Sequence, residues 1–372
     1  MKFCKKCVQP DTRPDVIFNE NGVCYPCEYH ATLDQINWAD RIKELLEIAK
    51  WGKEHCKSNY DCIVAVSGGK DSTRQSMYVR DELGLRPLLV SCTYPPEQQT
   101  EVGAHNLANL IQLGFDTISI GPAPETWKEL MKQGFLRFGN WCRSTEMALY
   151  AVTPKVAVAY NIPLVFLGEN PSLTWGCYGG SLDGDGNKMK YNHTLGGGDP
   201  TPLLSEGITK KDVFWYTYPS DHEMERTNLR IVYLGYYIKD FNSYANGEFA
   251  IKHGLWIRKG DPIDTGSLNG FDACDEDFVI INQMLKYVKF GFGKVNDQVC
   301  EAIRIGRLNR KEGIELVKKY DGKCHHRYIE KLCQYMNISE EEFWNVIESY
   351  RNKDIWERDE RGQWKMKFGY ES

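Results

Sequence analysis

Short apolar runs alternate with helical patterns through the first half of the chain, and this alternation restricts the possible folds most. Predicted strands cover residues 61–66, 87–92, 117–120 and 163–168, and predicted helices cover residues 38–57, 71–83, 99–113 and 143–160. Strands that alternate with helices usually form parallel sheets. The sequence therefore predicts an α/β fold, a twisted parallel sheet with helices on both faces, and ligands in such sheets bind at the carboxyl ends of the strands.

The pattern changes in the second half of the chain. Residues 171–202 are rich in glycine and predict a long flexible loop of the kind that is usually functional or disordered. From about residue 275 the pattern is helical, with apolar residues on one helix face and two capping-box patterns. The face comprises Phe278, Ile281, Leu285 and Val288, and the caps pair Asn309 with Glu312 and Ser339 with Glu342.

Residues 67–72, with the sequence SGGKDS, stand where the first predicted strand turns into a helix. Two glycines let backbone N–H groups approach an anion closely, and the helix start adds its positive end. Lys70 could offset phosphate charge, Ser67 and Ser72 could donate hydrogen bonds, and Asp71 fits an anion site if it helps to hold a magnesium ion. The loop matches neither G-x-x-x-x-G-K-[ST] nor G-x-G-x-x-G. A strand-to-helix turn without a ligand is the alternative.

Four cysteines near the start of the chain form two C-x-x-C pairs separated by 16 residues: Cys4, Cys7, Cys24 and Cys27. This spacing is typical of tetrahedral Zn²⁺ sites, and four cysteine ligands predict a structural ion without an open position. A disulfide or an iron site is the alternative. His30 follows the second pair and is expected to be a surface residue rather than a ligand.

Bulk properties exclude some classes of protein. The net charge of −5 argues against a large nucleic-acid surface. No stretch approaches 18 consecutive apolar residues, and the first residues lack the apolar segment of a signal peptide. We therefore expect a cytoplasmic protein without a membrane span. The oligomeric state stays open, and a homo-oligomer is possible.

Several single residues are weaker candidates. Asn192 and His193 lie in the glycine-rich segment and could contact substrate, although a solvated loop histidine is an equal alternative. Arg143 could reach a phosphate, with a surface arginine as the alternative. Cys142 and Cys177 lack C-x-x-C spacing and are expected to be free thiols.

The string at residues 67–72 resembles the pyrophosphate loop of the PP-loop ATP pyrophosphatase superfamily, which includes GMP synthetase, asparagine synthetase and tRNA thiolating and lysidine-forming enzymes. The resemblance implies ATP and Mg²⁺ and a loop that holds pyrophosphate as it leaves. The candidate catalytic residues are Lys70, Asp71 and Arg143. A polar strand end is the alternative for Glu169 and Asn170. The implied nucleotide-binding residues are Ala65, Val66, Ser67, Gly68, Gly69, Lys70, Asp71, Ser72, Ser91, Cys92, Thr93, Gly168, Glu169 and Asn170.

Nearly the whole chain resembles the N-acetyl sugar amidotransferase family. The segments that carry this resemblance are the two cysteine pairs and residues 67–72, 234–238, 287–293, 301–306, 310–312 and 320–322. The resemblance implies a zinc-binding module at 1–37, a PP-loop domain at 38–260 and a C-terminal helical region at 261–372. No motif in the glycine-rich segment aligns with the family.

The family resemblance also implies a reaction. ATP would adenylate the amide oxygen of an acetamido group on a nucleotide-activated or related surface-polysaccharide sugar, ammonia would attack the imidate carbon, and AMP would leave. The chain lacks a glutaminase-like motif, so the implied ammonia source is a separate glutaminase partner. Two other functions stay open: a tRNA-modifying enzyme of the same superfamily, and a non-catalytic, zinc-stabilised adaptor that binds nucleotide.

Overall fold

The structure is a computed structural model that describes residues 1–176, 181–192 and 194–370. Its centre is a parallel sheet whose strand order is β3-β2-β1-β4-β5. The strands are β1 (Cys62–Ala65), β2 (Pro87–Cys92), β3 (Thr117–Ile120), β4 (Leu164–Leu167) and β5 (Arg230–Tyr233). The strand order reverses between β1 and β4, which creates a crevice at the carboxyl ends of these two strands.

Helices cover the sheet and continue beyond it to a C-terminal hairpin of β6 (Trp356–Arg358) and β7 (Trp364–Met366). The helices are α1 (Tyr25–Thr32), α2 (Trp38–His55), α3 (Lys70–Asp81), α4 (Glu101–Gln112), α5 (Pro124–Phe138), α6 (Cys142–Tyr160), α7 (Pro171–Thr174), α8 (Asp221–Arg226), α9 (Ser243–Lys252), α10 (Pro262–Thr265), α11 (Val279–Phe290), α12 (Lys294–Arg304), α13 (Arg310–Tyr320), α14 (His326–Met336) and α15 (Glu340–Tyr350).

Alternating strand residues separate two hydrophobic cores. Ile63 and Val165 face a core that α5, α6, α11, α14 and α15 complete, whereas Val64 and Phe166 face one that α2, α3 and α4 complete. The prediction of helices on both faces of a parallel sheet is therefore confirmed. The first core joins side chains from both sides of residue 260, so hydrophobic packing continues across the expected boundary between regions.

A third core joins the two ends of the chain. The four N-terminal cysteines pack with Val295 and Val299 of α12 and with Tyr370, whose ring centroid lies 4.5 Å from that of Phe3. The N-terminal segment therefore packs on the C-terminal region.

Some local expectations are corrected by tertiary packing. Helix α2 buries Leu45 and Ala49 as predicted, but Ile42 and Leu46 are 44% and 49% exposed. The buried stripe continues through Ile48 instead, because this face of the helix packs on the sheet. Helix α5 and strand β5 were not predicted, and the C-terminal region ends in a hairpin rather than a helix.

The described parts of residues 171–202 are also more ordered than expected. They contain α7 and three 3₁₀ turns, Met189–Tyr191, Gly196–Gly198 and Thr201–Leu203. Met189, Leu195 and Leu203 are buried in the first core. A side chain on Gly186 would meet Ile231, so this glycine permits close packing rather than flexibility.

Both predicted capping boxes are present, at Asn309 and at Ser339. All four apolar residues that were assigned to one helix face around α11 are buried. Within the described ranges, no helix has the length and apolar character needed to cross a membrane.

Candidate functional site

A cavity of about 360 Å³ lies at the carboxyl ends of β1, β2 and β4, in the crevice where the strand order reverses. Its volume is within the range of small-molecule sites. We call it the sheet-edge cavity. Among the residues predicted to bind nucleotide, those that line it are Ala65, Val66, Ser67, Asp71, Ser72, Cys92, Gly168 and Glu169.

The loop between β1 and α3 forms one rim of this cavity. Gly68 has φ +90°, and a Cβ there would lie 2.8 Å from the backbone nitrogen of Leu107. Only glycine fits both the left-handed conformation and the contact with α4. The Ser67 N–H donates to Ser72 Oγ at 2.9 Å, and Gly69 caps the first turn of α3.

Two carboxylates contact the ammonium group of Lys70. Its Nζ lies 2.7 Å from Asp71 Oδ2 and 3.1 Å from Asp272 Oδ1. Burial alone would raise the pKa of Asp272, but Lys294 and Lys70 bring it well below its usual range. The loop lysine is therefore positioned by a residue of the C-terminal region.

Asp71 and Glu169 bring two carboxylates to the cavity. Asp71 Oδ1 accepts a hydrogen bond from Asn246 Nδ2 at 2.6 Å. Burial raises the pKa of Glu169 and the neighbouring Asp71 raises it further, while Lys70 opposes the rise. Carboxylates of this kind fit the oxygen ligands that Mg²⁺ prefers.

The segment 272–276 supplies acidic residues that the sequence analysis did not select. Asp275 and Glu276 line the sheet-edge cavity. Burial, together with the charge of Asp275, raises the pKa of Glu276 to about 8. The run of acidic residues at positions 272, 275, 276 and 277, just before an apolar helix, is the sequence signal that could have identified them.

Helix α4 holds this segment against the sheet. Thr100 Oγ1 donates to the Cys274 carbonyl at 2.6 Å, and Gly103 allows the backbone of Asp275 to approach closely. Ala273, which also lines the cavity, has φ +45°. A non-glycine residue in this conformation is strained, and such strain tends to occur at functional sites.

A second cavity, of about 490 Å³, adjoins the first. The two share four lining residues, Glu146, Tyr150, Glu169 and Met189. The remaining wall of the second cavity includes four cationic side chains, Arg13, Arg143, Lys286 and Lys289. Burial raises the pKa of Glu146, whose Oε2 has no hydrogen-bond partner among the described residues.

Other predicted residues lie outside the sheet-edge cavity. Arg143 and Asn192 line the second cavity. Asn170 caps α7 and donates to the carbonyls of Ser181 and Asp183, which gives it a structural role. His193 and Cys177 lie outside the described residues.

Ser91 and Thr93 belong to β2 and its end but are not among the residues that line either cavity. Ser91 is buried within the sheet, and Thr93 Oγ1 donates to the Ile120 carbonyl at 3.4 Å. Cys142 lines the sheet-edge cavity as a free thiol, and burial raises its pKa.

The four N-terminal cysteines are buried together, and their sulfur atoms all lie within 4.8 Å of one another. The Cys7 and Cys24 sulfurs are 3.7 Å apart, close to the spacing of about 3.8 Å that tetrahedral Zn–S bonds of about 2.3 Å require. Backbone N–H groups of Lys6 and Cys24 donate to Cys4 Sγ. The cluster could hold zinc, and within the described residues it is separate from the linings of both cavities.

Comparison with known families gives one match. The model of a family described as LPS biosynthesis protein WbpG-like, C-terminal domain, matches residues 265–369. No curated protein matches the chain. The match includes α11–α15, the C-terminal hairpin and the whole acidic segment 272–276, but it does not include the central parallel sheet. Over its C-terminal region the chain is therefore similar to a family of lipopolysaccharide biosynthesis proteins.

Proposed function

We propose that this protein is an ATP-dependent amidotransferase that converts an acetamido group of a surface-polysaccharide sugar into an acetamidino group. One observation carries the proposal: a cavity beside the loop 67–72 shares a wall, which includes Glu146 and Glu169, with a second cavity. Such a pair of cavities suits a reaction between a nucleotide and a second substrate. The similarity of residues 265–369 to lipopolysaccharide biosynthesis proteins supports a sugar as that substrate.

ATP is proposed to occupy the sheet-edge cavity with its phosphates toward the loop. Backbone N–H groups of the loop and the amino end of α3 would stabilise the charge that develops on the departing pyrophosphate. Asp71 and Glu169 would hold the magnesium ion that neutralises part of the phosphate charge. Gln75 Oε1 and Trp141 Nε1 line this cavity and are buried without hydrogen-bond partners among the described residues, so they are available to a nucleotide.

The acetamido group is proposed to lie where the two cavities meet. Its carbonyl oxygen attacks the α phosphorus of ATP, the bond to the bridging oxygen breaks, and pyrophosphate leaves. Ammonia then attacks the activated carbon, the new ammonium group loses a proton, and the C–O bond to AMP breaks. Close placement of the two substrates supplies much of the rate enhancement, and exclusion of water prevents loss of the activated amide by hydrolysis.

Glu146 is proposed to accept the proton that the attacking ammonia loses. It lies on the wall shared by both cavities, and burial raises its pKa, which makes its carboxylate a stronger base. Its unpartnered Oε2 leaves one oxygen available for this transfer. Glu169 lies on the same wall, but it interacts electrostatically with Asp71 and Lys70 of the loop, which favours the magnesium role for it.

Ammonia is proposed to come from a separate glutaminase subunit in the cytoplasm. The expected division into residues 1–37, 38–260 and 261–372 belongs to this proposal. The cysteine cluster would hold zinc that fixes the N-terminal segment on the C-terminal region, without taking part in the reaction.

Oxygen transfer gives a direct test of this proposal. Purified protein is incubated with Mg-ATP, ammonium chloride and nucleotide-linked acetamido sugars whose acetamido carbonyl carries ¹⁸O. We expect AMP that contains ¹⁸O, together with pyrophosphate. Asp71→Asn should abolish the reaction, while the matched variant Asp81→Asn, at the exposed end of the same helix, should retain it.

Other products would contradict the proposal. Formation of ADP, or of AMP without ¹⁸O, would exclude adenylation of the amide. Total tRNA tested in place of the sugar distinguishes the tRNA-modifying alternative, since only that alternative predicts AMP formation that depends on tRNA. Nucleotide binding without turnover on any acceptor would favour an adaptor.

A further inference from the structure

We propose that the second cavity binds the acceptor through a negatively charged group, a phosphate or a carboxylate, held between Arg143 and Lys289. This inference rests on the proposed function, because it assigns the acceptor of that reaction to the second cavity. Beyond that function, it specifies that the acceptor carries a negative charge, and it names the residues that recognise this charge.

The two named cations lack carboxylate partners among the described residues. Lys289 Nζ donates to the backbone carbonyls of Phe138 and Gly139, at 2.8 and 3.5 Å. The Arg143 guanidinium stacks on the Phe138 ring at 4.2 Å, and its Nε is buried without a hydrogen-bond partner in the described part of the chain. Burial of this Nε without a hydrogen bond is costly, and a bound anion would relieve that cost.

Charges around the cavity are unevenly distributed. The carboxylates of Glu146 and Glu169 lie on the wall shared with the sheet-edge cavity. Elsewhere in the lining, Asp297 contacts both Arg13 and Lys286, so this cluster retains one positive charge. An acceptor would therefore direct its neutral amide toward the shared wall and its anionic group toward the cations.

Polar atoms in the same lining favour a polyhydroxylated ligand. Asn140 Oδ1 and Gln283 Oε1 are buried and have no hydrogen-bond partner among the described residues. Both atoms are acceptors, as the hydroxyl groups of a sugar require. Trp175 and Phe290 add aromatic faces against which a sugar ring can pack.

Equilibrium binding to the full-length protein tests the proposal. Saturating α,β-methylene-ATP with Mg²⁺ fills the sheet-edge cavity and cannot be cleaved between its α and β phosphates. Three probes are then compared: UDP-N-acetylglucosamine, which carries a diphosphate; N-acetylneuraminic acid, which carries a carboxylate; and neutral N-acetylglucosamine. We expect at least one charged probe to bind more than tenfold tighter than the neutral one, and the two charged probes distinguish phosphate from carboxylate recognition.

Variants locate the binding. Arg143→Met and Lys289→Met should each weaken binding of the charged probe about tenfold, and Lys289→Arg should restore most of it. Lys132→Met is the matched control, because Lys132 also donates to a carbonyl but lies on the exposed face of α5. The variants should keep the affinity for the ATP analogue, which shows that they are folded.

Three outcomes would overturn the inference. One is equal affinity for the neutral and the charged probes, or no binding of any probe. Another is an unchanged Kd in both methionine variants. The third is displacement of the charged probe by the ATP analogue, which would place the probe in the sheet-edge cavity. Failure of the ATP analogue itself to bind would count against the proposed function instead.

Discussion

Replacing Asp272 by Asn tests whether the C-terminal region holds the loop lysine. The Asp272 side chain is only 2% exposed, and its Oδ1 lies 3.1 Å from Lys70 Nζ. Its other oxygen accepts from Gln298 Nε2 at 2.8 Å and lies 3.9 Å from Lys294. Asparagine keeps the size of the side chain and removes the charge, so the variant isolates the ionic contribution.

The structure sets the size of the expected effect. Breaking a buried ion pair costs about 3–5 kcal/mol when the remaining charge has no other partner. Lys70 keeps Asp71 at 2.7 Å, and this second carboxylate is partly exposed. We therefore expect Asp272→Asn to lower the free energy of unfolding by about 2 kcal/mol at pH 7, below the full range for an isolated buried charge.

The effect should depend on pH in one direction. Since the folded pKa of Asp272 is lower than the usual value of about 3.9, its contribution is complete above that value. The contribution declines as the pH falls below it toward the folded pKa. The difference between wild type and Asp272→Asn should thus be constant from pH 7 to 5 and shrink as the pH is lowered further.

Urea unfolding followed by tryptophan fluorescence measures both quantities. Asp34→Asn is the control, because Asp34 pairs with Lys239 on the surface and is 91% exposed. This control should leave the unfolding midpoint unchanged. A midpoint for Asp272→Asn equal to that of wild type at pH 7, or a deficit that grows below pH 4, would refute the reasoning.

Three further predictions concern the loop, the cysteine cluster and the acidic segment. Gly68→Ala places an alanine in a left-handed conformation, which costs about 1–2 kcal/mol, and brings its Cβ into contact with the backbone of Leu107. The variant should have a lower unfolding midpoint and bind α,β-methylene-ATP at least tenfold more weakly. Cys24→Ser should abolish stoichiometric zinc, measured by atomic emission on the purified protein, and lower the thermal midpoint. Between its unfolded pKa of about 4.3 and its folded pKa of about 8, Glu276 is protonated in the folded state but ionised in the unfolded state. The free energy of unfolding should therefore fall as pH rises through this window, by up to about 1.4 kcal/mol per pH unit. Glu276→Gln should remove that decline in urea unfolding.

Each of these predictions has a matched control. Gly69→Ala should fold normally, because Gly69 has a negative φ and meets only Ser67 Oγ at 3.4 Å. Cys56→Ser should keep the zinc. Glu225→Gln, on exposed α8, should keep the pH dependence of wild type. A Gly68→Ala protein as stable as Gly69→Ala, zinc retained by Cys24→Ser, or an unchanged pH slope in Glu276→Gln would each contradict its prediction.

Local patterns predicted the features that depend on residues close together in the chain. The strand at residues 87–92, the two capping boxes and the grouping of the four cysteines need only propensity and short spacing. The turn after β1 is equally local, since the two glycines and the following helix are contiguous. Five of the predicted nucleotide-binding residues that line the sheet-edge cavity, at positions 65, 66, 67, 71 and 72, belong to this contiguous stretch, whereas Cys92, Gly168 and Glu169 reach the cavity through the pairing of β2 and β4 with β1.

Packing against distant residues decided the rest. Strand β5 is only four residues long and follows β4 by more than 60 residues, so no local pattern predicts its place beside β4. Helix α2 has more apolar positions than its buried face can hold, and contact with the sheet decides that Leu45 is buried while Leu46 is exposed.

By itself, the sequence determined that this is an α/β protein with a glycine-rich turn between a strand and a helix and with four clustered thiols, because backbone propensity and short-range spacing act within a few residues. Only the tertiary structure brought Asp272 to Lys70, Glu276 to the carboxyl edge of the sheet, and Lys289 to the cavity beside Arg143. These contacts join residues more than 100 positions apart. They depend on the summed packing of whole helices and strands rather than on any local preference.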